Sequence, residues 1–182
     1  MEMKVIETPF KGLYVIEPSV FEDDRGYFFE SWNQQKFSEK GLDFNFVQDN
    51  QSMSGAHVLR GLHFQTPPWE QAKLVRVIQG AVLDVVVDIR KNQPTYGRHF
   101  RLVMSGKLKN MLWIPPGFAH GFLTLEENTV FFYKCTRFYN RESEGAIAWN
   151  DPQLNIDWGI EDPIVSVKDK SAVLFNQFES PF

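Results

Sequence analysis

The sequence predicts an all-β chain, and three observations lead there. Aromatic residues make up 15% of the 182 residues, with 17 Phe, 5 Tyr and 5 Trp, and aromatic and β-branched side chains favour strands. The 10 Pro and 12 Gly supply frequent punctuation. Between these breaks short apolar runs recur, at 13–16, 27–32, 58–65, 73–78, 81–89, 99–104, 111–114, 118–125 and 129–138. Such spacing predicts a sandwich or barrel of short strands.

Each run carries its own stop. Glu17-Pro18 closes the first, and the charged turn Glu22-Asp23-Asp24-Arg25-Gly26 leads into the second. Pro67-Pro68, Gly80, Asn92-Gln93-Pro94, Ser105-Gly106, Pro115-Pro116-Gly117, Glu126-Glu127-Asn128 and Tyr139-Asn140 close the rest. Helical signals are few. Asn33 is a cap for a short helix through Glu39, with Phe37 buried and Gly41 as its stop. Asp151-Pro152 opens a region, 154–162, expected to hold a short helix or turn. No linker, repeat or low-complexity tract divides residues 1–182, so one domain is expected.

The run 81–89 shows how the fold works. Alternation sets Val82, Asp84, Val86 and Asp88 on one face and Leu83, Val85, Val87 and Ile89 on the other. The second face is wholly apolar and is expected in a core. Asp88, near the end, is expected in solvent; Asp84, mid-strand, is expected to face something polar.

Composition also excludes. With 43% hydrophobic residues the chain can build a core. No apolar run approaches the ~20 residues of a membrane helix, and no basic-then-apolar N-terminal stretch resembles a signal peptide. Cys135 is the only cysteine, which excludes a disulfide framework. A cytoplasmic protein is expected. The net charge of −4 argues against bulk nucleic-acid binding and leaves room for an anionic small ligand held by local cations.

Four histidines are present. His57 and His99 lie in turn or edge contexts and read as surface residues. His63 lies in Leu59-Arg60-Gly61-Leu62-His63-Phe64-Gln65, and His120 in Pro115-Pro116-Gly117-Phe118-Ala119-His120-Gly121-Phe122. Taken singly, each reads as a hydrogen-bonded core residue. Together with the flanking glycines, they resemble the two motifs of the cupin superfamily, whose fold is a jelly-roll barrel. Many cupins bind a metal through His-x-His, a downstream Glu and the second-motif His. The first motif here reads His63-Phe64-Gln65, and a carboxamide is a poorer ligand for transition metals than imidazole. No metal is expected.

Longer strings narrow the resemblance: Phe21-x-Asp23-x-Arg25-Gly26-x-Phe28-x-Glu30, Gln48-Asp49-Asn50-x-Ser52, Leu59-Arg60-Gly61-Leu62-His63, Lys73-Leu74-Val75, Asp84-Val85-Val86-Val87-Asp88, Ile114-Pro115-x-Gly117-Phe118-Ala119-His120-Gly121-Phe122, Tyr133-Lys134 and Trp149-x-Asp151-Pro152. In this order they resemble the dTDP-4-dehydrorhamnose 3,5-epimerase family from about Phe21 to Asp169. The family's Ser-acidic-Lys-Asp string reads Ser166-Val167-Lys168-Asp169, with Val167 in the acidic position.

The resemblance implies a substrate whose C3 and C5 hydrogens are acidified by a C4 ketone, so that epimerisation through an enolate needs no redox cofactor. It implies His63 as base, Asp169 orienting it, Lys73 stabilising the enolate oxygen and Tyr133 as acid. Arg25, Arg60 and Lys168 are the implied diphosphate cations. Glu30, Gln48, Asp49, Asn50, His120 and Glu144 match substrate-contact positions. Asp84 and His120 are a possible second carboxylate–imidazole pair, and Tyr139 or Phe28 a surface for thymine. Arg60 and His63 would leave a flat strand on opposite faces; a bulge at Gly61 brings both inward. In the family the segment with Arg25 and Glu30 reaches a neighbouring subunit, which implies a homodimer. The alternatives are a 5-epimerase or 3-epimerase of a related pathway, a metal-dependent cupin enzyme and a non-catalytic sugar-binding barrel.

Overall fold

Among the described residues most of the fourteen strands form where apolar runs alternate at period two and stop at turns, and two short α-helices accompany them. The computed structural model describes residues 2–182. In chain order the elements are β1 (Lys4–Glu7), β2 (Tyr14–Glu17), β3 (Phe21–Asp23), β4 (Gly26–Phe28), α1 (Gln34–Ser38), β5 (Gln48–Ser54), β6 (Val58–Gln65), β7 (Lys73–Gln79), β8 (Ala81–Asp88), β9 (His99–Ser105), β10 (Met111–Ile114), β11 (Phe118–Thr124), β12 (Thr129–Cys135), β13 (Glu144–Ala146), β14 (Ile164–Val165) and α2 (Val167–Lys170). One sheet runs β1-β2-β10-β7-β12-β5; the second runs β13-β6-β11-β8-β9, with β14 added in parallel to β6. β3 and β4 form a separate hairpin. The two larger sheets make the expected jelly roll, as facing sheets that do not close on themselves.

Alternation places three apolar layers. Between the sheets lie Val75, Val77, Val82, Val86, Leu112, Ile114, Phe118, Phe122 and Phe131. Behind the second sheet, Val85, Val87, Ile89 and Leu123 pack on Leu154, Trp158 and Phe175 of the C-terminal region. Behind the first, Leu74, Met111 and Trp113 pack on Phe37 and Leu42. Both faces of β8 are therefore buried, which accounts for its dense Val content. Asn33 caps α1 by accepting from the Lys36 amide, and Gly41 follows it in the left-handed region at φ +78°.

Two expectations need correction. Asp88 is fully buried rather than solvated: it accepts from Arg90 Nε at 2.8 Å, Arg90 Nη2 at 2.7 Å and Thr95 Oγ1 at 2.5 Å, because the following turn folds back over the strand end. His99 is half-buried, and burial with the nearby Arg101 lowers its pKa. His57 is exposed, as expected. Region 154–162 holds turns, and the second helix begins only at Val167. No helix of the described residues is long and apolar enough to cross a membrane.

Candidate active site

At one end of the inter-sheet space the apolar lining gives way to polar groups. β5 pairs with β12 so that Asn50 lies opposite Tyr133 and Gln48 opposite Cys135. Its inward side chains are thus Gln48, Asn50, Ser52 and Ser54, while Asp49, Gln51 and Met53 point outward. The facing wall is β6, where the ladder to β11 shifts between the pairs His120–His63 and Phe122–Arg60. Gly61 sits in that bulge with φ +136°. The shift resets the alternation: Leu59, Leu62 and Phe64 pack behind the sheet, and Arg60 and His63 both face inward. Arg60 reaches across to Ser54 Oγ, at 3.1 Å from Nη2.

His63 Nε2 lies 2.6 Å from Asp169 Oδ1. The side chain of His63 keeps 31% exposure while that of Asp169 is 4% exposed. Asp169 is fixed by α2, whose cap Ser166 accepts from the Asp169 amide. Burial alone would raise the Asp169 carboxyl, but the hydrogen bond and charge of His63 and further bonds from Ser166 and Gly61 hold it below the ordinary carboxylate range. Val167 is exposed, so the loss of an acid there leaves the pair intact.

Beside His63, His120 Nε2 lies 2.9 Å from Asp84 Oδ2, both nearly or fully buried. The second Asp84 oxygen is buried without a partner. Lys73, on the inward face of β7, has its pKa lowered by burial, against the opposing pull of Cys135, Asp84 and Glu144. Its ammonium lies 5.7 Å from the Tyr133 ring centroid. Burial raises the Tyr133 pKa, so the phenol keeps its proton at neutral pH. Glu144 lies close enough to His63, Lys73 and Tyr133 to act electrostatically on all three. It accepts from the Tyr139 hydroxyl at 2.9 Å and pairs with Lys168 at 2.5 Å.

The chain thus brings together His63, Asp169, Lys73, Tyr133, Arg60, Asn50, His120, Asp84, Glu144 and Lys168. It does not bring in Asp49, which the strand alternation turns outward to Lys134 at 2.8 Å. Arg25 pairs with Asp23 on the exposed hairpin, and Glu30 pairs with Lys36 and Asn33 beside α1. Neither touches the His63 cluster within this chain. Gln48 faces inward, but its amide is engaged by Asn50 and by the Tyr139 main chain. The sequence reading assigned no site role to Cys135, which lines the space beside Lys73 and receives Asn50 Nδ2 at 3.6 Å. Its place opposite Gln48 follows only from a strand pairing.

A jelly roll with an imidazole–carboxylate pair on one wall, and a half-buried phenol and ammonium on the other, is built for acid–base chemistry on a polar organic ligand. The family model for dTDP-4-dehydrorhamnose 3,5-epimerase matches residues 7–177. The dTDP-4-dehydrorhamnose 3,5-epimerase of Salmonella typhimurium is 50% identical over 177 residues, 96% of this chain and 97% of the relative. The solved dTDP-4-dehydrorhamnose 3,5-epimerase of Elizabethkingia anophelis matches with a TM-score of 0.92 at 49% identity, over 97% of this chain and 98% of that one. A Legionella pneumophila dTDP-6-deoxy-D-glucose-3,5-epimerase, solved in complex with dTDP-4-keto-L-rhamnose, matches with a TM-score of 0.92 at 45% identity, over 97% of this chain and 95% of that one. The chain belongs to the dTDP-4-dehydrorhamnose 3,5-epimerase family, a family of isomerases.

Proposed function

We propose that this chain epimerises C3 and C5 of dTDP-4-dehydro-6-deoxy-D-glucose to give dTDP-4-dehydro-L-rhamnose, in dTDP-L-rhamnose biosynthesis. The observation that carries the reading is the placement of His63 and Tyr133 on opposite walls of one space. A proton taken from one face and returned on the other inverts a carbon.

His63 is the base: neutral imidazole takes the proton, and the buried Asp169 carboxylate stabilises the imidazolium that forms. The electron pair left on carbon delocalises onto the C4 oxygen. Lys73, half-buried and without an ion pair among the described residues, supplies positive charge to that oxygen. Tyr133 donates its phenolic proton to the other face and later regains one from solvent. Arg60 and Lys168 serve the diphosphate, His120 and Asn50 the sugar, and Tyr139 the base. No redox cofactor enters, since substrate and product have the same oxidation state. Gln65, in the cupin metal-ligand position, has its amide engaged by three main-chain groups.

The same reading makes the enzyme a homodimer. The hairpin of β3 and β4 stands out with Phe21, Tyr27 and Phe28 exposed, and the Arg25 side chain is 90% exposed. These features support a hairpin that completes the site of a second copy with Arg25 and Glu30. Sedimentation should give twice the chain mass of 21.2 kDa; a fully active monomer would contradict this.

The test of function is the product formed in deuterated water. Label at both C3 and C5 with the L-configuration is expected. Label at one position alone would instead identify a 3-epimerase or 5-epimerase.

A further inference from the structure

Two glutamine side chains hold three successive residues of main chain between them. Gln65, 6% exposed on the inward face of β6, donates through Nε2 to the Phe138 carbonyl at 3.3 Å and to the Trp69 carbonyl at 2.6 Å. Its Oε1 accepts from the Asn140 amide at 2.7 Å. From the opposite sheet, Gln48 Oε1 accepts from the Tyr139 amide at 2.9 Å, and its Nε2 donates to Asn50 at 3.1 Å. The main-chain groups of three successive residues are thus held from both walls. The held segment carries Tyr139, which is 53% exposed and whose hydroxyl donates to Glu144. Glu144 itself lies opposite Gln65 in the β13–β6 ladder.

Only an amide suits the Gln65 position. Two of its partners are carbonyls that need donors, and the third is an N–H that needs an acceptor. A carboxylate only accepts, and a neutral imidazole offers one donor and one acceptor. The residue where cupins carry a metal ligand is therefore matched to three main-chain groups of two loops.

We propose that Gln65 and Gln48 form a clamp that positions Tyr139 for the nucleotide end of the substrate. This rests on the reading of the ligand as a dTDP-sugar. The clamp acts through Tyr139 and touches no reacting atom, so Gln65 is a positioning residue. Changing it should weaken nucleotide binding and leave the chemical step at saturation largely intact.

The experiment is a double-mutant cycle of Gln65→Glu and Tyr139→Ala, read by KM, kcat and calorimetric binding of dTDP. Gln65→Glu turns two hydrogen bonds into contacts between acceptors. It should raise KM and the dTDP dissociation constant about 10-fold, with kcat held within about threefold. In the Tyr139→Ala background the same change should add almost nothing, because the group being positioned is gone. Additive effects, or a fall in kcat at unchanged KM, would overturn the proposal. Amide hydrogen exchange supplies an arm independent of activity and of the ligand. Gln65→Met, which removes the acceptor, should speed exchange at Asn140, and Gln48→Met should speed it at Tyr139. Unchanged exchange in the Gln48 variant overturns the clamp even if Gln65→Glu fails to fold. Normal exchange effects in a protein that binds no dTDP would leave the clamp standing and sink the functional reading instead.

Discussion

Two imidazoles stand side by side on neighbouring strands, and their surroundings separate their roles. His63 is 31% exposed against Asp169, whereas His120 is 8% exposed against a fully buried Asp84. Only the first has open access to a ligand entering the mouth, so only the first suits the base. His63→Ala should lower turnover by roughly 10²–10⁴-fold while circular dichroism stays native; normal entry of deuterium at C5 would contradict the assignment. The partner carboxylate has a pH signature. Its pKa is depressed in the folded state, so the stability it contributes is fully present above the unfolded value of about 4 and is lost as pH falls through the lower folded value. The stability gap between the wild type and Asp169→Asn should narrow as pH falls below about 4. A gap that goes on widening below about 4 would mean that the carboxylate is not held by His63. At this scale the sequence was informative mainly through resemblance. No spacing rule joins His63 to a carboxylate 106 residues away, since their meeting depends on α2 docking against β6.

Among the elements, most strands were legible; the short β1, β3, β13 and β14 were not, nor was β5. Its sequence Gln48–Ser54 has no apolar alternation, because its inward side chains line a polar site and its outward ones reach solvent. A hydrophobic pattern reports burial in a core, so a strand that forms a site wall leaves no such signal. The bulge in β6 was legible from its glycine, and it makes a demanding test. A Cβ on Gly61 would lie 2.5 Å from the Gly121 Cα, closer than any real contact, at a φ of +136° that side chains rarely adopt. Gly61→Ala should therefore cost about 2–4 kcal/mol in chemical denaturation and lose most activity, because β6 and β11 must part where Arg60 and His63 are aimed. Near-native stability with full activity would show that the bulge does not set the geometry. Asp88 fails the opposite way: alternation placed it correctly, but the turn that covers it lies outside the strand.

For the molecule as a whole, the two sheets divide the chemistry between them. The second sheet holds the proposed base His63, with Asp169 brought to it by α2 docked against β6, and the first holds Lys73 and Tyr133. The aromatic-rich composition and the spaced apolar runs predicted a sandwich or barrel of strands, but no local pattern predicted which residues would face each other across the gap. Those are long-range relations set by packing of the three apolar layers. The hairpin with Arg25 was equally opaque to local reading, since Phe21, Tyr27 and Phe28 stay exposed and an apolar pattern reports burial in a core.

The division between walls is the central claim, and Tyr133→Phe tests it most directly. The change removes one oxygen from a ring packed beside Phe131 and leaves His63, Asp169 and Lys73 in place. Incubated with substrate in deuterated water and followed by NMR, the variant should exchange the C5 hydrogen with solvent yet form little inverted sugar, because the enolate is reprotonated from the face it left. Normal yield of the L-configured product would contradict the account.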